Sequence, residues 1–277
     1  MSNNILVKKA SGDLETFSEA KLVNSLKRAG ADSRAIEKIV NNIQDWIFNG
    51  VTTKKIYSRA FAMLKKKKTG VAARYKLKKA IAELGPSGYP FEHFVGQIFE
   101  KLGYEVSVGV TIQGNCVSHE VDVVANKDNV QNLMECKFYN NGGKHANVQV
   151  SLYVRSRVND IIRKRKNLPE YKNYDFEGWV VTNTRFTADS MAFGTCSGLK
   201  LLSWDYPQNN GLKDIIERLK IFPITVLTMI TKKEKIILMD KGIVLCSQLI
   251  SNPKVFEIIG INKNKQKKVL EEAGSLS

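Results

Sequence analysis

Asp122 stands in the run His119-Glu120-Val121-Asp122-Val123-Val124-Ala125, an acid inside an apolar, β-branched stretch. A carboxylate in such a place costs free energy unless a cation or a hydrogen-bond donor compensates it. Twelve residues separate it from Glu135, which lies two before Lys137 in Leu133-Met134-Glu135-Cys136-Lys137-Phe138. Alternation along a strand puts Glu120, Asp122 and Val124 on one face of the first run, and Glu135 and Lys137 on one face of the second. A hairpin joining the two runs brings Asp122 beside Glu135 and Lys137. Two carboxylates so placed bind hard divalent cations such as Mg2+ or Mn2+. A lysine beside them positions or deprotonates water and offsets phosphate charge. A second set of cations, Lys8, Lys9 and Lys21, brackets a turn and a helix start, where clustered charge and free backbone N–H groups favour phosphates.

The elements that must position these residues follow from pattern. Ile5 to Lys9, a turn at Ser11-Gly12-Asp13, and Thr16-Phe17 predict a small hairpin with Gly12 supplying the turn. Ser18 is placed to cap a helix from Glu19 to Ala29, and further helices are expected over Ile36–Phe48, from Thr52 or Thr53 to Leu64, and over Val71–Leu84. The Lys65–Lys68 run between the last two reads as a solvated loop. The breaker-rich Pro86-Ser87-Gly88-Tyr89-Pro90 then introduces an amphipathic helix, Phe91 to Leu102, with apolar residues at i, i+3, i+4, i+7 and i+8. Strands are predicted over Glu105–Thr111, Glu120–Ala125 and Val130–Phe138, and a helix over Asn147–Lys164. A strand over Gly178–Thr182, a helix over Ala188–Thr195 and a strand over Leu199–Trp204 complete an α/β region around a mixed sheet. From Ile221 onward the pattern is helical.

Composition narrows the class. With 43% hydrophobic and 25% charged residues the chain reads as an ordinary folded protein. Met1 to Lys9 offers no apolar stretch of leader type. The longest apolar run, Ile221–Ile230, contains Pro223 and is half the length a membrane span needs. The expectation is a soluble, cytoplasmic protein with no membrane partner. The four cysteines, Cys116, Cys136, Cys196 and Cys246, have no metal-clip spacing and are expected to be buried, inert thiols. The net charge of +16 is uneven: residues 1–88 hold 18 Lys/Arg against 7 Asp/Glu, residues 89–220 hold 16 against 15, and residues 221–277 hold 9 against 5. Such a basic excess attracts polyanions.

The helix with Phe91-Glu92 ending in Gly103-Tyr104, the apolar strand with Asp122, and the strand with Glu135-x-Lys137 resemble the PD-(D/E)xK nucleases, in particular the restriction-endonuclease-like group typified by Mrr. The resemblance covers about residues 89–206, with Trp179-Val180-Val181-Thr182-Asn183 and Phe186-Thr187-Ala188 resembling the group's later strand and helix. It implies that Glu92, Asp122 and Glu135 bind Mg2+ and that Lys137 assists the attacking water. This sequence has Glu120 where a glycine is common. Gln149-Val150-Ser151-Leu152-Tyr153 is similar to the Gln-x3-Tyr pattern of relatives of the RecB nuclease, which adds Gln149 to the catalytic set. Arg155, Arg157 and Arg163 on the same helix are candidates for holding DNA phosphates.

Residues 5–85 resemble the ATP-cone, a nucleotide-binding regulatory domain, through Val7-Lys8-Lys9, Gly12, Phe17, Lys21, Ala29, Val71-Ala72 and Tyr75. Lys8, Lys9 and Lys21 match positions that contact nucleotide in that family, while Ser11 replaces its usual Asp. Near the end, Val255–Ile259, a Gly260-Ile261-Asn262 turn and Lys265–Ala273 resemble a helix-hairpin-helix. The fold expected is α/β: a mainly helical ATP-cone-like domain over residues 1–88, a restriction-endonuclease-like mixed sheet flanked by helices over 89–220, and a small helical C-terminal region over 221–277. The function expected is a metal-dependent DNA endonuclease with ATP or dATP as effector, acting in restriction or repair, with a homodimer as one assembly open to it. The alternative is a non-catalytic, nucleotide-sensing DNA-binding regulator on a decayed nuclease fold.

Overall fold

The computed structural model describes residues 5–9, 11–65 and 69–276; Lys66–Lys68 of the expected lysine loop lie outside them. In chain order the elements are β1 (Leu6–Lys8), β2 (Leu14–Thr16), α1 (Glu19–Arg28), α2 (Ser33–Gln44), α3 (Thr53–Lys65), α4 (Thr69–Tyr75), α5 (Leu77–Ala82) and α6 (Tyr89–Lys101). There follow β3 (Glu105–Gln113), β4 (Ser118–Lys127), β5 (Val130–Lys137), β6 (His145–Ala146), α7 (Val148–Arg165), β7 (Asp175–Thr182), β8 (Arg185–Phe186), α8 (Ala188–Cys196) and β9 (Lys200–Leu202). Helices complete the chain: α9 (Leu212–Leu219), α10 (Lys232–Met239), α11 (Cys246–Ser251), α12 (Val255–Ile258) and α13 (Lys263–Gly274). Two compact units result, one of Met1–Ala80, Ile224–Lys235 and Cys246–Ser277, the other of Ile81–Pro223 and Ile236–Leu245.

In the first unit β1 and β2 form the expected hairpin, with Gly12 at φ +99 in its turn. The Ser18 side chain caps α1 by accepting from Lys21 N–H, and Asp32 caps α2 by accepting from Ala35 N–H. Leu22, Leu26, Ile36, Ile39, Val40, Ile43 and Ile56 close the core between these helices. The single helix expected from Val71 to Leu84 is two helices, α4 and α5, separated at Lys76, whose N–H is shared between the Ala72 and Ala73 carbonyls. The C-terminal helices share this unit with the N-terminal ones. Buried Glu272 accepts from the N–H groups of Thr228 and Met229 at 2.8 to 3.0 Å. Thr225 Oγ1 donates to the Ala80 carbonyl at 2.8 Å, and Lys76 Nζ donates to the Thr225 carbonyl at 2.7 Å. Buried charges and backbone groups are thus paired, which is what burial requires of them.

The second unit is built on a five-stranded sheet of order β3-β4-β5-β7-β9, antiparallel through β5 and parallel beyond it. Asp128 and Asn129, both at positive φ, make the tight turn between β4 and β5, a two-residue connection that suits the twist of a hairpin. Helix α7 supplies the crossover that the parallel β5–β7 pair needs. Helix α6 buries Phe91, Phe94, Ile98 and Phe99, each contributing about 1.5–3 kcal/mol of apolar burial. Its Gly96 faces Val108 so closely that an added Cβ would sit 3.0 Å from Cγ2. On the other helix–sheet layer Val150, Val154, Val158 and Ile161 of α7 pack with Val124, Leu133 and Val180. Helix α9 and the two-residue parallel pair β6–β8 go beyond the elements expected from pattern. The cysteine expectation needs correction: Cys136 and Cys246 are buried, but Cys116 and Cys196 are exposed, because both fall in or beside turns.

Candidate active site in the sheet unit

The β4–β5 ladder runs from Lys127↔Val130 to Val123↔Met134 and stops there. At the next position the Asp122 side chain takes over: its Oδ2 accepts the Cys136 backbone N–H at 2.6 Å. On the opposite flank the β3–β4 register omits the Gly109/Asp122 position, where Gly109 adopts φ +66, a conformation that costs a side-chain-bearing residue. Beyond Met134 strand β5 stays paired with β7 through Glu135↔Val180 and Lys137↔Thr182. Strands β4 and β5 therefore part where Asp122 and Glu135 sit, and the carboxylates border the gap.

The acids converge. Asp122, half-buried, is pushed up to about 7 by burial first and then by the charge of Glu135, with Glu92 adding to it and the Cys136 N–H and Arg157 opposing. Glu92, in the first turn of α6, is raised by burial and by the charges of Glu120 and Glu135. Glu120 itself is exposed, and its backbone carbonyl accepts from Arg157 Nη1 at 3.0 Å. Both oxygens of Glu135 are held by α7: the Tyr153 hydroxyl donates to Oε1, and Arg157 Nη1 donates to Oε2 at 2.5 Å. Burial, then the bond to Glu135, raises Tyr153 above the usual phenol range, so its hydroxyl stays a neutral donor. Lys137 Nζ lies 5.8 Å from the Tyr153 ring centroid and the Arg157 guanidinium 5.4 Å from it, within reach of the ring's negative face.

Of the residues singled out in the sequence, Glu92, Asp122 and Glu135 lie near enough to raise one another's pKa, and Lys137 Nζ lies over the ring of Tyr153, which bonds Glu135. Gln149 is exposed, and its Oε1 accepts from Asn147 Nδ2 at 3.4 Å. Arg157 turns to Glu135, while Arg163 is exposed. Among the described residues no three His, Cys, Asp or Glu side chains are arranged to hold a metal ion. Carboxylate oxygens are the ligands a hard divalent cation takes, and Asp122, Glu135 and Glu92 supply them beside the end of the β4–β5 ladder. Two contacts escape pattern reading. His119 Nε2 lies 2.8 Å from Asp160 Oδ2, and Asp160 also accepts from the Cys116 and Val117 N–H groups, tying the β3–β4 connection to α7. The other is the Tyr153–Arg157 grip on Glu135: Tyr153 stands out in the sequence through Gln-x3-Tyr and Arg157 as a phosphate candidate, but neither as a partner of Glu135.

In the first unit, Lys9 Nζ lies 2.5 Å from Glu15 Oε2, and Lys21 Nζ donates to Glu15 Oε1. The two ammonium groups hold Glu15 down at about 2, the Lys21 bond first. Lys8 is exposed on β1, its backbone N–H bonded to the Val51 carbonyl. Two of the three candidate phosphate-binding lysines thus meet at one acid.

Comparison with known proteins agrees with this architecture. The restriction endonuclease family matches residues 85–206, and the family described as AF1548-like, C-terminal, matches residues 222–277. An uncharacterized protein of Archaeoglobus fulgidus is 31% identical over 180 residues, covering 65% of this chain and 97% of its own length. The crystal structure of AF1548, a protein of unknown function, aligns with TM-score 0.56 and 32% identity over 68% of this chain and 97% of that one. The MspJI restriction endonuclease, in complex with a 27-mer oligonucleotide, aligns over 82% of this chain and 48% of its own with TM-score 0.33 and 11% identity, a likeness too distant to bear on function. With the Archaeoglobus relative matched over nearly its whole length, the chain belongs to the AF1548-like family, and its sheet unit has a restriction-endonuclease-like fold.

Proposed function

We propose that the protein is a metal-dependent endonuclease that hydrolyses DNA phosphodiester bonds. What supports this reading is that Asp122, Glu135 and Glu92 feel one another's charge where the β4–β5 ladder ends, two residues before Lys137 on β5, in a segment that matches the restriction endonuclease family. Asp122 and Glu135, with Glu92 beside them, would hold Mg2+ or Mn2+. When bound, such an ion polarises the phosphate and lowers the pKa of a coordinated water. Lys137, whose Nζ lies 5.8 Å from the Tyr153 ring centroid, orients the attacking water and offsets phosphate charge. The Cys136 N–H holds one Asp122 oxygen in place.

The hairpin with Lys9, Lys21 and Glu15 is the second part of the proposal: an ATP-cone-like site whose occupancy by ATP or dATP alters cleavage or self-association. Linkage demands that the nucleotide bind one arrangement of the protein better than another. One observation favours the non-catalytic regulator instead, namely that both Glu135 oxygens are already bonded to α7.

The deciding experiment incubates the full chain with plasmid, linear and single-stranded DNA, with Mg2+ or Mn2+, with and without ATP or dATP. Asp122→Ala and Glu135→Ala are expected to abolish cutting while DNA binding is kept. Lys137→Ala is expected to slow it by about 10²-fold or more, the scale of one lost proton-transfer group. The Lys9→Ala, Lys21→Ala double variant should lose any nucleotide response and keep basal cutting. No cleavage of any substrate with any divalent cation would leave the regulator reading.

A further inference from the structure

Away from the sheet, in the first unit, α2, α3 and α4 line a cavity of about 660 Å³. Residues four apart on a helix share a face, so α2 contributes its lining as two stripes. Ala35 and Ile39 form an apolar one, and Arg34, Lys38 and Asn42 a polar one beside it. From α3 come Arg59, Met63 and the buried Leu64, and from α4 the buried Val71. The apolar part of the lining is thus aliphatic, with no aromatic side chain among the described residues. Arg34 and Lys38 have no hydrogen-bond or ion-pair partner among the described residues. Arg59 is set in place, its Nε donating to Asn42 Oδ1 at 2.7 Å and its guanidinium 4.8 Å from the Trp46 ring centroid. The one acid of the lining, Asp32, accepts from the Ala35 N–H at 2.8 Å.

We propose that this cavity binds an aliphatic carboxylate, a saturated chain of medium length whose charged end meets Arg34, Lys38 and Arg59. The assignment stands apart from the endonuclease reading. A concave, mainly apolar site of this size with a few polar groups on one side is the usual form of a small-molecule pocket. Each methylene buried against Ile39, Leu64 and Val71 leaves water, and an arginine fork matches a carboxylate. Three cations against one acid leave the lining at +2, enough for a single carboxylate. A nucleotide would bring a base that finds no ring to stack on and one side-chain amide to bond, and DNA held by charge gains nothing from an aliphatic wall. The adjoining cleft shares Arg34 and Lys38 but adds Glu37 and Asp45, which turn an anion back toward Arg59.

The test is a calorimetric titration of the full chain with sodium octanoate below its micelle concentration, with hexanoate, octanol and AMP as comparison ligands. One saturable octanoate site is expected, with affinity about two- to fourfold higher for each methylene beyond hexanoate. Neutral octanol should bind at least tenfold more weakly. The double variant Arg34→Gln, Lys38→Gln should weaken octanoate at least tenfold. Lys54→Gln, Lys55→Gln, a change of equal charge on exposed residues of α3 outside the lining, should leave it unaltered. Met63→Trp fills the hollow and should abolish binding; if that variant does not fold, the two double variants carry the comparison. Absence of a saturable octanoate site, equal affinity for octanol, or an equal loss in the Lys54, Lys55 variant would overturn the proposal. AMP binding as tight as octanoate, and lost with Arg34 and Lys38, would overturn the aliphatic class and give the cavity to nucleotides.

Discussion

At Asp122 an apolar strand has to accommodate a carboxylate, and burial beside Glu135 and Glu92 pushes it up to about 7. The sign of the consequence follows from linkage. An acid whose folded pKa lies above its unfolded value of about 3.9 binds its proton more tightly when folded. Stability from this group is therefore full below the unfolded pKa and is lost as pH rises through about 7. The metal-free protein is expected to melt lower at pH 8 than at pH 5 on this account, and Asp122→Asn to melt higher than wild type at pH 8 with a smaller difference at pH 5, since the loss runs from about pH 4 to about 7. After allowance for the partial exposure of the group the gain is on the order of 2 kcal/mol, or about 4–8 °C. Thermal melts of both proteins in chelator at the two pH values check it; equal melting temperatures at pH 8 would show that burial does not push the carboxylate up. Arg157 and Tyr153 act on Glu135 at this same scale, one by charge and one by a neutral bond.

At the scale of elements, the site exists because a ladder ends. Strands β4 and β5 pair as far as Val123↔Met134, then the Asp122 side chain replaces the backbone partner that β5 would otherwise find. The glycine at 109 lets β3 follow the departure of β4 without steric cost. Asp160 secures the far end of the same strands: bonded to His119 and to the Cys116 and Val117 amides, it is held down at about 2. Asp160→Asn is expected to free the connection between β3 and β4 from α7. Hydrogen exchange should then speed at the Cys116 and Val117 amides by at least tenfold, with the amides of β5 and β7 unaffected. Unaltered exchange at those two amides would show that the turn holds its shape alone.

Over the whole molecule the charge is partitioned by folding in a way the linear order only hints at. The unit of Met1–Ala80, Ile224–Lys235 and Cys246–Ser277 holds 26 Lys/Arg against 10 Asp/Glu, so it carries the entire +16, while the sheet unit holds 17 of each. The unit with the acids is thus electrically neutral, and attraction for a polyanion resides in the other. Counterion release makes DNA binding of this kind fall steeply with salt. For the Asp122→Ala chain on a duplex, measured by fluorescence anisotropy, affinity is expected to drop by about 10² or more between 50 and 200 mM salt. Reversing Lys263, Lys267 and Lys268 to glutamate should reduce that slope, whereas Lys200→Glu in the sheet unit should not. A flat salt profile would show that these cations face something other than DNA. The described residues contain no helix long and apolar enough to cross a membrane.

The sequence by itself determined what short-range order can determine. Period-two alternation and a two-residue turn at Asp128-Asn129 set the register that brings Asp122 beside Glu135, so the acid pair is legible in the chain's own pattern. Helix caps such as Ser18 and Asp32 act over three residues and are local for the same reason, though only Ser18 stands out in the sequence. Tertiary structure alone decided that Arg157 turns inward to an acid 22 residues earlier in the chain, where pattern places it toward phosphates. It alone decided that Thr225 bonds to Ala80, 145 residues away, so that the last helices join the first ones in one basic unit. A side chain's rotamer and a helix's docking partner depend on which surfaces are left to bury after the local elements form. That remainder is a property of the packed molecule, and no window of sequence contains it.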